Sequence, residues 1–297
     1  MRPIGVNHWI LPKLWNRKDI KKIIIAERPT AWPWIRGIFS FLRYLLLSRK
    51  INTARGSKPL ILAMGKLGVQ AYHRTGFRNV FPFLYHKSDD SDFLTHTPDS
   101  ASTNCENTRF VYVGQFNKRK GVDILKKSFC DQKEKRWSLD LVGANGNLTG
   151  EMKEWAQTDS RVRFLGAWKS EEVESRLKDY DVCIVPSRYD GWGMVVTEAI
   201  SSGTGVITTN RTGSRDLVDA SEAGIVVKSG SVSELSRAIK NVLESPGLTM
   251  EWKNKLSSYR EKLSDASISS YTIALLDWYF FKKKSLPVPQ CPWLNEN

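Results

Sequence analysis

The sequence contains few of the residues that build metal centres and disulfide frameworks. Its 297 residues include four cysteines and four histidines, and the cysteines form no CxxC pair and follow no regular spacing. We therefore predict neither a zinc site nor a disulfide scaffold, and a reducing cytosol fits this cysteine usage. No compact apolar stretch follows the basic start of the chain, which argues against a signal peptide.

Long uninterrupted apolar runs are also lacking. The segment AWPWIRGIFSFLRYLLLSRK at residues 31–50 is rich in Trp, Phe and Leu, but Arg36 and Arg43 interrupt it, so it falls short of a membrane span. On a helix, Arg36, Ser40, Arg43 and Lys50 lie near one stripe, and the remaining surface is apolar. Two interpretations follow: a buried helix with a solvated stripe, which we slightly favour, and an interfacial helix lying on a bilayer.

Acidic residues are scarce in the first third of the chain. Residues 1–87 contain 17 Lys and Arg against two acids, a net charge of +15, whereas the remaining residues carry −1. Such a basic face attracts nucleic acid, anionic lipid or a phosphorylated substrate. A solubilising surface is the simpler alternative, but the imbalance is large for that. No nucleic-acid-binding motif accompanies the charge.

The chain divides at residues 88–108, a polar, aperiodic segment that predicts a linker. Its DSD at residues 90–92 follows no strand, so we do not interpret it as a metal site. Before the linker, residues 58–86 have the pattern of a βαβ unit. After it, residues 109–265 alternate six apolar strands with helices, and most of these strands end at a glycine or a proline. This pattern predicts a doubly wound parallel sheet, whose ligands bind beyond the carboxyl ends of the strands.

The stretch PSRYDGWGMVVTEAISSGTGVITT at residues 186–209 places two carboxylates, Asp190 and Glu198, around a glycine loop that opens a helix. Glycines let a ligand approach the backbone, and a helix N-terminus favours an anion such as a diphosphate. Carboxylates accept hydrogen bonds from vicinal hydroxyls. Asp190 is therefore a candidate for a sugar ring and Glu198 for a ribose. A plain loop that caps a helix is the alternative for this pair taken alone.

A second motif strengthens the interpretation of that loop. FVYVGQFNKRKGVDIL places Lys118, Arg119 and Lys120 after the first strand of the same predicted sheet, just before a helix. Basic side chains there can neutralise a diphosphate and stabilise a leaving nucleotide. Together the two loops predict a site for a nucleotide diphosphate.

Four stretches, VGQFNKRKGVDIL, RVRFLGAW, DVCIVPSRYDGWGMVVTEAISSGTGVITT and GSRDLVDASEAGIVV, resemble in order and spacing the C-terminal domain of retaining GT-B glycosyltransferases of family 4. The resemblance implies an α/β, GT-B-like fold with a Rossmann-like parallel-sheet C-terminal domain and a short N-terminal α/β domain. It implies that Asp190 and Lys120 are catalytic and that no metal or other cofactor is used. The implied donor-binding residues are Gly114, Gln115, Arg119, Lys120, Arg163, Phe164, Leu165, Asp190, Gly191, Trp192, Gly193, Met194, Val195 and Glu198.

Several positions depart from the family pattern. Asp190 stands where the family has Glu and Trp192 where it has Phe, while Gln115 replaces an Arg whose phosphate contact Arg119 could supply. Asp216 replaces a common Glu. The implied domains are a partial, basic acceptor-side domain at residues 1–87, the linker at 88–108, a donor-binding domain at 109–265, and a C-terminal helix at 266–297 that returns to the first domain. The first domain is shorter than the family's, and its histidines, His8, His73 and His86, match no family motif.

The predicted function is transfer of a hexose-type sugar from a nucleotide-diphosphate donor to a glycan or lipid-linked acceptor, in polysaccharide or glycolipid synthesis. The resemblance implies a retaining, metal-independent reaction in the cytoplasm, with peripheral contact between residues 1–87 and an anionic membrane. Two alternatives stay open: an inactive nucleotide-sugar-binding remnant, and a nucleic-acid-binding protein. An epimerase of the same fold is disfavoured, because such enzymes need two full domains and a different set of acids and histidines.

Overall fold

The chain folds into two compact units, which we describe separately. The structure is a computed structural model that describes residues 16–29, 34–53, 56–86, 107–130, 132, 136–282 and 286–294. The first unit comprises Met1–Leu84 and Thr272–Gln290, and the second comprises Tyr85–Tyr271 and Cys291–Asn297. Of the predicted linker at 88–108, only residues 107 and 108 are described; the DSD and His8 also lie outside the described residues.

The first unit is built on a small parallel sheet. Its elements are β1 (Ile23–Ala26), α1 (Trp34–Thr53), β2 (Leu60–Met64), α2 (Gly65–Arg74) and β3 (Val80–Phe83), and the strand order is β1-β2-β3. Ile61 and Ala63 of the central strand pack with Tyr72 of α2 and Ile51 of α1 in one buried cluster. The βαβ pattern of residues 58–86 thus forms as the sequence predicts.

Helix α1 is not a buried helix, so the interpretation that we favoured from the sequence is wrong. Only one side of α1 packs on the sheet, through Tyr44, Leu47 and Ile51. Large apolar side chains elsewhere on the helix, including Phe39 and Leu46, are exposed. The periodicity misled because α1 is apolar on two opposite sides, and the small three-stranded sheet covers one of them.

The second unit is a six-stranded, all-parallel sheet with helices around it. Its strands are β4 (Thr108–Val113), β5 (Trp137–Val142), β6 (Val162–Gly166), β7 (Val182–Val185), β8 (Gly205–Thr209) and β9 (Gly224–Val227), in the order β6-β5-β4-β7-β8-β9. The helices that connect and follow them are α3 (Val122–Cys130), α4 (Thr149–Thr158), α5 (Val173–Leu177), α6 (Met194–Ser201), α7 (Arg215–Ser221), α8 (Val232–Glu244) and α9 (Leu248–Tyr259). The interior strands β7 and β8 are buried along their whole length, as expected for a parallel sheet that is covered on both faces.

The last helix and the tail are divided between the units. Helix α10 (Asp265–Asp277) is followed by a short π-helix, Trp278–Lys282. In the first unit Trp278 packs edge-on against Phe81, with ring centroids 5.6 Å apart. In the second unit Trp293 is buried and its carbonyl accepts a hydrogen bond of 2.5 Å from the Tyr259 hydroxyl. Of the tail, residues 286–294 are described and are not helical, which differs from the helical segment predicted at 266–297.

Candidate donor site at the sheet switch point

The order of the second sheet changes direction between β4 and β7. The chain adds β5 and β6 on one side of β4 and then returns to add β7, β8 and β9 on the other. At such a switch point the loops that leave neighbouring strands separate, and the crevice beyond their carboxyl ends is where ligands of these sheets bind. The two motifs from the sequence, after β4 and after β7, flank this crevice.

A short 3₁₀ turn, Lys118–Lys120, presents the basic residues of the first loop. Asn117 caps the turn, since its side-chain oxygen accepts a hydrogen bond of 3.0 Å from the backbone N–H of Lys120. Gly121 ends the turn in the left-handed conformation, with φ of 75°. The sequence NKRKG therefore contains both the residue that caps the turn and the residue that ends it, and these two fix the backbone position of Lys120.

The two loops are hydrogen-bonded to each other. The backbone N–H of Arg188 donates to the Arg119 carbonyl at 2.8 Å. The Arg188 guanidinium donates to the Lys118 carbonyl at 2.6 Å and to both oxygens of Asp123 at 2.6 and 2.7 Å. Sequence reasoning missed Arg188 and Asp123. Each belongs to one of the quoted motifs, but their pairing depends on the adjacency of β4 and β7, which the motifs alone do not reveal.

The second loop is held from its other side by the segment after β8. Asp190 donates its backbone N–H to Arg211 and accepts from Gly213, both at 3.2 Å. The Ser214 hydroxyl donates to the carbonyls of Trp192 and Gly193 at 2.8 and 3.0 Å. Gly193 has φ of 90°, and a Cβ there would lie 2.6 Å from the Thr212 methyl. The backbone turns at Gly193 directly into α6, whose first N–H groups are free of intrahelical partners.

An ion pair joins the two predicted catalytic residues. Lys120 Nζ donates to Asp190 Oδ2 at 2.5 Å, and Arg119 Nη1 lies 3.9 Å from Asp190 Oδ1. The side chains of Lys120 and Asp190 are only 19% and 12% exposed. Burial raises the pKa of the nearby Tyr112 hydroxyl, and the negative charge of Asp190 adds to that rise. One edge of the crevice thus combines the Asp190 carboxylate, the cations of Lys120 and Arg119, and the N-terminus of α6.

Glu198 lies four residues into α6 and is partly exposed. Burial raises the pKa of the Cys183 thiol in β7, and the negative charge of Glu198 adds to that rise. Met194 and Val195 form the first turn of α6, and Val195 is buried. Gly191 is buried beside the segment after β8: a Cβ on Gly213 of that segment would lie 2.1 Å from the Gly191 carbonyl oxygen.

Trp192 and Gln115 differ in burial. Trp192 is buried, and its indole N–H has no hydrogen-bond partner among the residues that the structure describes. Gln115 is exposed; its side-chain oxygen accepts from Asn117 at 3.2 Å and its carbonyl from the Tyr112 hydroxyl at 2.7 Å. Gly114 donates its N–H to the Val142 carbonyl at 2.9 Å and so continues the β4–β5 pairing.

The β6 residues separate into two groups. Arg163 lies near the start of β6 and donates to both oxygens of Asp140 at 2.7 and 2.6 Å, while the Tyr180 hydroxyl donates to the same carboxylate at 2.6 Å. Phe164 packs on Phe116 of the first loop, with ring centroids 5.1 Å apart, and Leu165 is exposed. The structure therefore brings Phe164 to the first loop but ties Arg163 into a structural ion pair.

The remaining candidates lie away from this cluster. His73 Nδ1 contacts the Phe77 carbonyl at 3.0 Å in the first unit. His86 lies 3.5 Å from the Ser201 hydroxyl at the far end of α6, and burial lowers its pKa. Asp216 is buried, with Arg215 Nε 3.7 Å from its carboxylate. Within the described part of the chain, no group of three or more His, Cys, Asp or Glu residues could hold a metal ion.

The sequence and the fold of this chain are similar to those of known proteins. A family model described as glycosyl transferases group 1 matches residues 98–261. The glycogen synthase of Mycobacterium tuberculosis is 25% identical over 190 residues, which cover 61% of this chain and 44% of that protein. The chain thus spans less than half the length of this curated relative.

Two solved structures resemble the fold of this chain. WaaG, a glycosyltransferase involved in lipopolysaccharide biosynthesis, matches with a TM-score of 0.63 and 18% identity, over 86% of this chain and 75% of that one. Anabaena HepE in complex with UDP and glucose matches with a TM-score of 0.66 and 18% identity, over 86% and 71%. The predicted α/β, GT-B-like fold class is confirmed.

Proposed function

Because the chain belongs to the glycosyl transferases group 1 family, we propose that it transfers a sugar from a nucleotide-diphosphate-sugar to a glycan or lipid-linked acceptor. The observation that carries the proposal is the Lys120–Asp190 ion pair at the switch point, beside the start of α6. The pair supplies a cation for the diphosphate and a carboxylate for a sugar hydroxyl. The similarity to a glycogen synthase and to a structure that binds UDP and glucose supports this chemistry.

In the proposed reaction, the bond between the anomeric carbon and the terminal phosphate oxygen breaks, and the nucleotide diphosphate leaves with the electron pair. The acceptor oxygen bonds to the anomeric carbon on the face from which the phosphate departs, and its proton passes to the phosphate oxygen that has just left. Lys120 and the N–H groups at the start of α6 stabilise the charge that grows on the diphosphate. Asp190 orients the sugar and Glu198 holds the ribose hydroxyls. No metal takes part.

The finer features of the proposal come from the resemblance to family 4. They are a retaining mechanism, a hexose as the transferred group, and a role in polysaccharide or glycolipid synthesis at the cytoplasmic face of a membrane. UDP in the HepE structure makes a UDP-sugar the first donor to test.

Calorimetric titration with UDP-, GDP- and ADP-sugars tests the donor site. Lys120→Ala removes one charge-assisted hydrogen bond, worth about 1.5–3 kcal/mol, so affinity for the preferred donor should fall by roughly 10- to 150-fold. Lys127→Ala is the matched control, because Lys127 is an exposed lysine of α3 and lies outside the Lys118–Lys120 turn. Equal affinities for the two variants would remove Lys120 from the phosphate site.

Turnover is measured as release of the nucleotide diphosphate in the presence of candidate acceptors. Asp190→Asn and Glu198→Gln should each cut turnover strongly without changing the melting temperature by more than a few degrees. Near-normal turnover in both variants would contradict the site assignment. Tight donor binding with no release from the unaltered chain would instead favour the nucleotide-sugar-binding remnant. Sub-micromolar affinity for nucleic acid with a steep salt dependence would favour the remaining alternative.

A further inference from the structure

Helix α1 of the first unit has two apolar sides. One side packs on the parallel sheet through Tyr44, Leu47 and Ile51. Ser48 fixes the helix there, since its buried hydroxyl donates to the carbonyls of Leu45 and Thr75. These contacts hold this side of α1 on the sheet.

The opposite side of α1 is an exposed apolar ridge. It consists of Ile35, Phe39, Leu42 and Leu46, which are 48–69% exposed. Their spacing of four, three and four residues aligns them along one line of an α-helix, and at 100° per residue that line lies roughly opposite the side that packs on the sheet. A surface helix of a soluble protein normally presents polar residues at this position.

Basic residues flank the ridge. Arg36, Arg43, Arg49 and Lys50 are all exposed, and α1 contains no acidic residue. A helix with large apolar side chains on one face, bordered by Lys and Arg, is the form that lies in the interface of a bilayer. Each basic residue near an anionic membrane surface adds about 1 kcal/mol of attraction.

Other occupants fit the ridge less well. A neighbouring helix of the same layer would pack beside α1, on its flank, and would leave the side opposite the sheet open. A second copy of the chain would bring Arg43 and Lys50 against basic residues of the same kind, because the flanks carry charge of one sign. Among the described residues no helix is both long and apolar enough to cross a membrane, so α1 would lie on the bilayer.

We propose that the ridge Ile35, Phe39, Leu42 and Leu46 inserts into the headgroup region of an anionic phospholipid bilayer, with Arg36, Arg43, Arg49 and Lys50 contacting the lipid phosphates. This proposal does not depend on the donor site. It places the first unit on the membrane face where a lipid-linked acceptor would be found.

Vesicle co-sedimentation of the full chain tests the proposal, with phosphatidylglycerol mixed into phosphatidylcholine against phosphatidylcholine alone. The double variant Phe39→Ser, Leu46→Ser should lower partition to the anionic vesicles by about tenfold or more, since it removes two of the four inserted side chains. Met250→Ser, at a similarly exposed apolar position in the second unit, is the control and should not change partition. Circular dichroism should show unchanged folding, because the ridge lies outside the core.

The charge requirement is tested separately. Arg43→Gln with Lys50→Gln should lower partition by about fivefold for each charge removed and flatten its salt dependence. Lys178→Gln, an exposed lysine of the second unit, serves as the control. Equal binding to neutral and anionic vesicles would overturn the proposal. So would a concentration-dependent dimer, seen by analytical ultracentrifugation, that Phe39→Ser disrupts while vesicle partition stays unchanged.

Discussion

The two loops of the candidate site lie in close contact at Gly121. This glycine follows the Lys118–Lys120 turn and has φ of 75°. A Cβ placed on it would lie 1.9 Å from the Pro186 carbonyl oxygen, which begins the loop after β7. Gly121→Ala therefore perturbs the spacing between the loops without touching Lys120 or Asp190.

The expected cost has two parts. A positive φ costs a non-glycine residue about 1–2 kcal/mol. In addition, the contact at 1.9 Å must open to at least about 3 Å, so one backbone segment has to move by roughly 1 Å or more, and forced overpacking of this kind costs about 1–3 kcal/mol. The total is about 2–5 kcal/mol of unfolding free energy.

Gly203→Ala is the matched control. Gly203 also has a positive φ, 80°, but a Cβ there would meet nothing within 4 Å. Only the conformational part of the cost, about 1–2 kcal/mol, applies to this variant. The difference between the two variants isolates the close approach of the loops.

Thermal and urea denaturation measure the stability of both variants, and calorimetry measures their affinity for the preferred nucleotide-sugar. Gly121→Ala should be the less stable by about 1–3 kcal/mol, and its donor affinity should fall markedly, because a displacement of about 1 Å at a site can cost 100-fold in function. Gly203→Ala should bind the donor normally. Equal stability and equal affinity of the two variants would refute the claim that the packing of these loops forms the site.

Two further predictions concern ion pairs of the second unit. Arg163→Gln leaves the Asp140 carboxylate, which is only 2% exposed, without its bidentate partner. The variant should lose about 1–2 kcal/mol of unfolding free energy in a denaturation experiment, a figure discounted because Arg163 is 65% exposed. Its donor affinity should change less than about twofold, and a larger loss would return Arg163 to the donor site. For Asp123, burial acts to raise the pKa, but hydrogen bonds from Arg188 and its charge outweigh burial and hold the pKa below its usual range. The ion pair with Arg188 therefore stabilises the fold above the unfolded carboxyl pKa of about 3.9, and this contribution is lost as the pH falls through the lowered folded pKa. Asp123→Asn should be less stable than the unaltered chain at neutral pH, and the difference in unfolding free energy should close below about pH 4. A difference that is constant with pH would exclude this linkage.

The arrangement of the second unit could be predicted from the sequence because its signals are local. A break at Gly114, Gly143 or Gly166 follows each of the first three strands, and alternating strands and helices leave a parallel sheet as the consistent solution. The N-cap at Asn117 and the stop at Gly121 are local signals of the same kind. Local signals also place both loops at the carboxyl edge of the sheet.

The contacts that give the site its geometry could not be predicted in this way. Lys120 and Asp190 are 70 residues apart, and their 2.5 Å contact depends on β4 lying beside β7. Arg163 is adjacent to Phe164 in sequence, yet alternation along a strand sends the two side chains to opposite faces. The interpretation of helix α1 failed for another reason: a helix that is apolar outside one basic stripe is compatible both with burial and with a bilayer interface, and only its packing on the sheet shows which side stays exposed.

The Lys120–Asp190 pair also explains how the site can be ordered before the donor arrives. Arg188 and the close approach of Gly121 to Pro186 already hold the loops, so binding need not order them. The ammonium of Lys120 has three N–H donors and uses one on Asp190, so a diphosphate can accept the others while the pair stays intact. The other carboxylate oxygen, Asp190 Oδ1, lies 3.9 Å from Arg119 Nη1, which is too long for a hydrogen bond, so it can accept a hydrogen bond from a sugar hydroxyl. In the proposed complex Lys120 therefore contacts the diphosphate and Asp190 contacts the sugar, on either side of the bond that breaks.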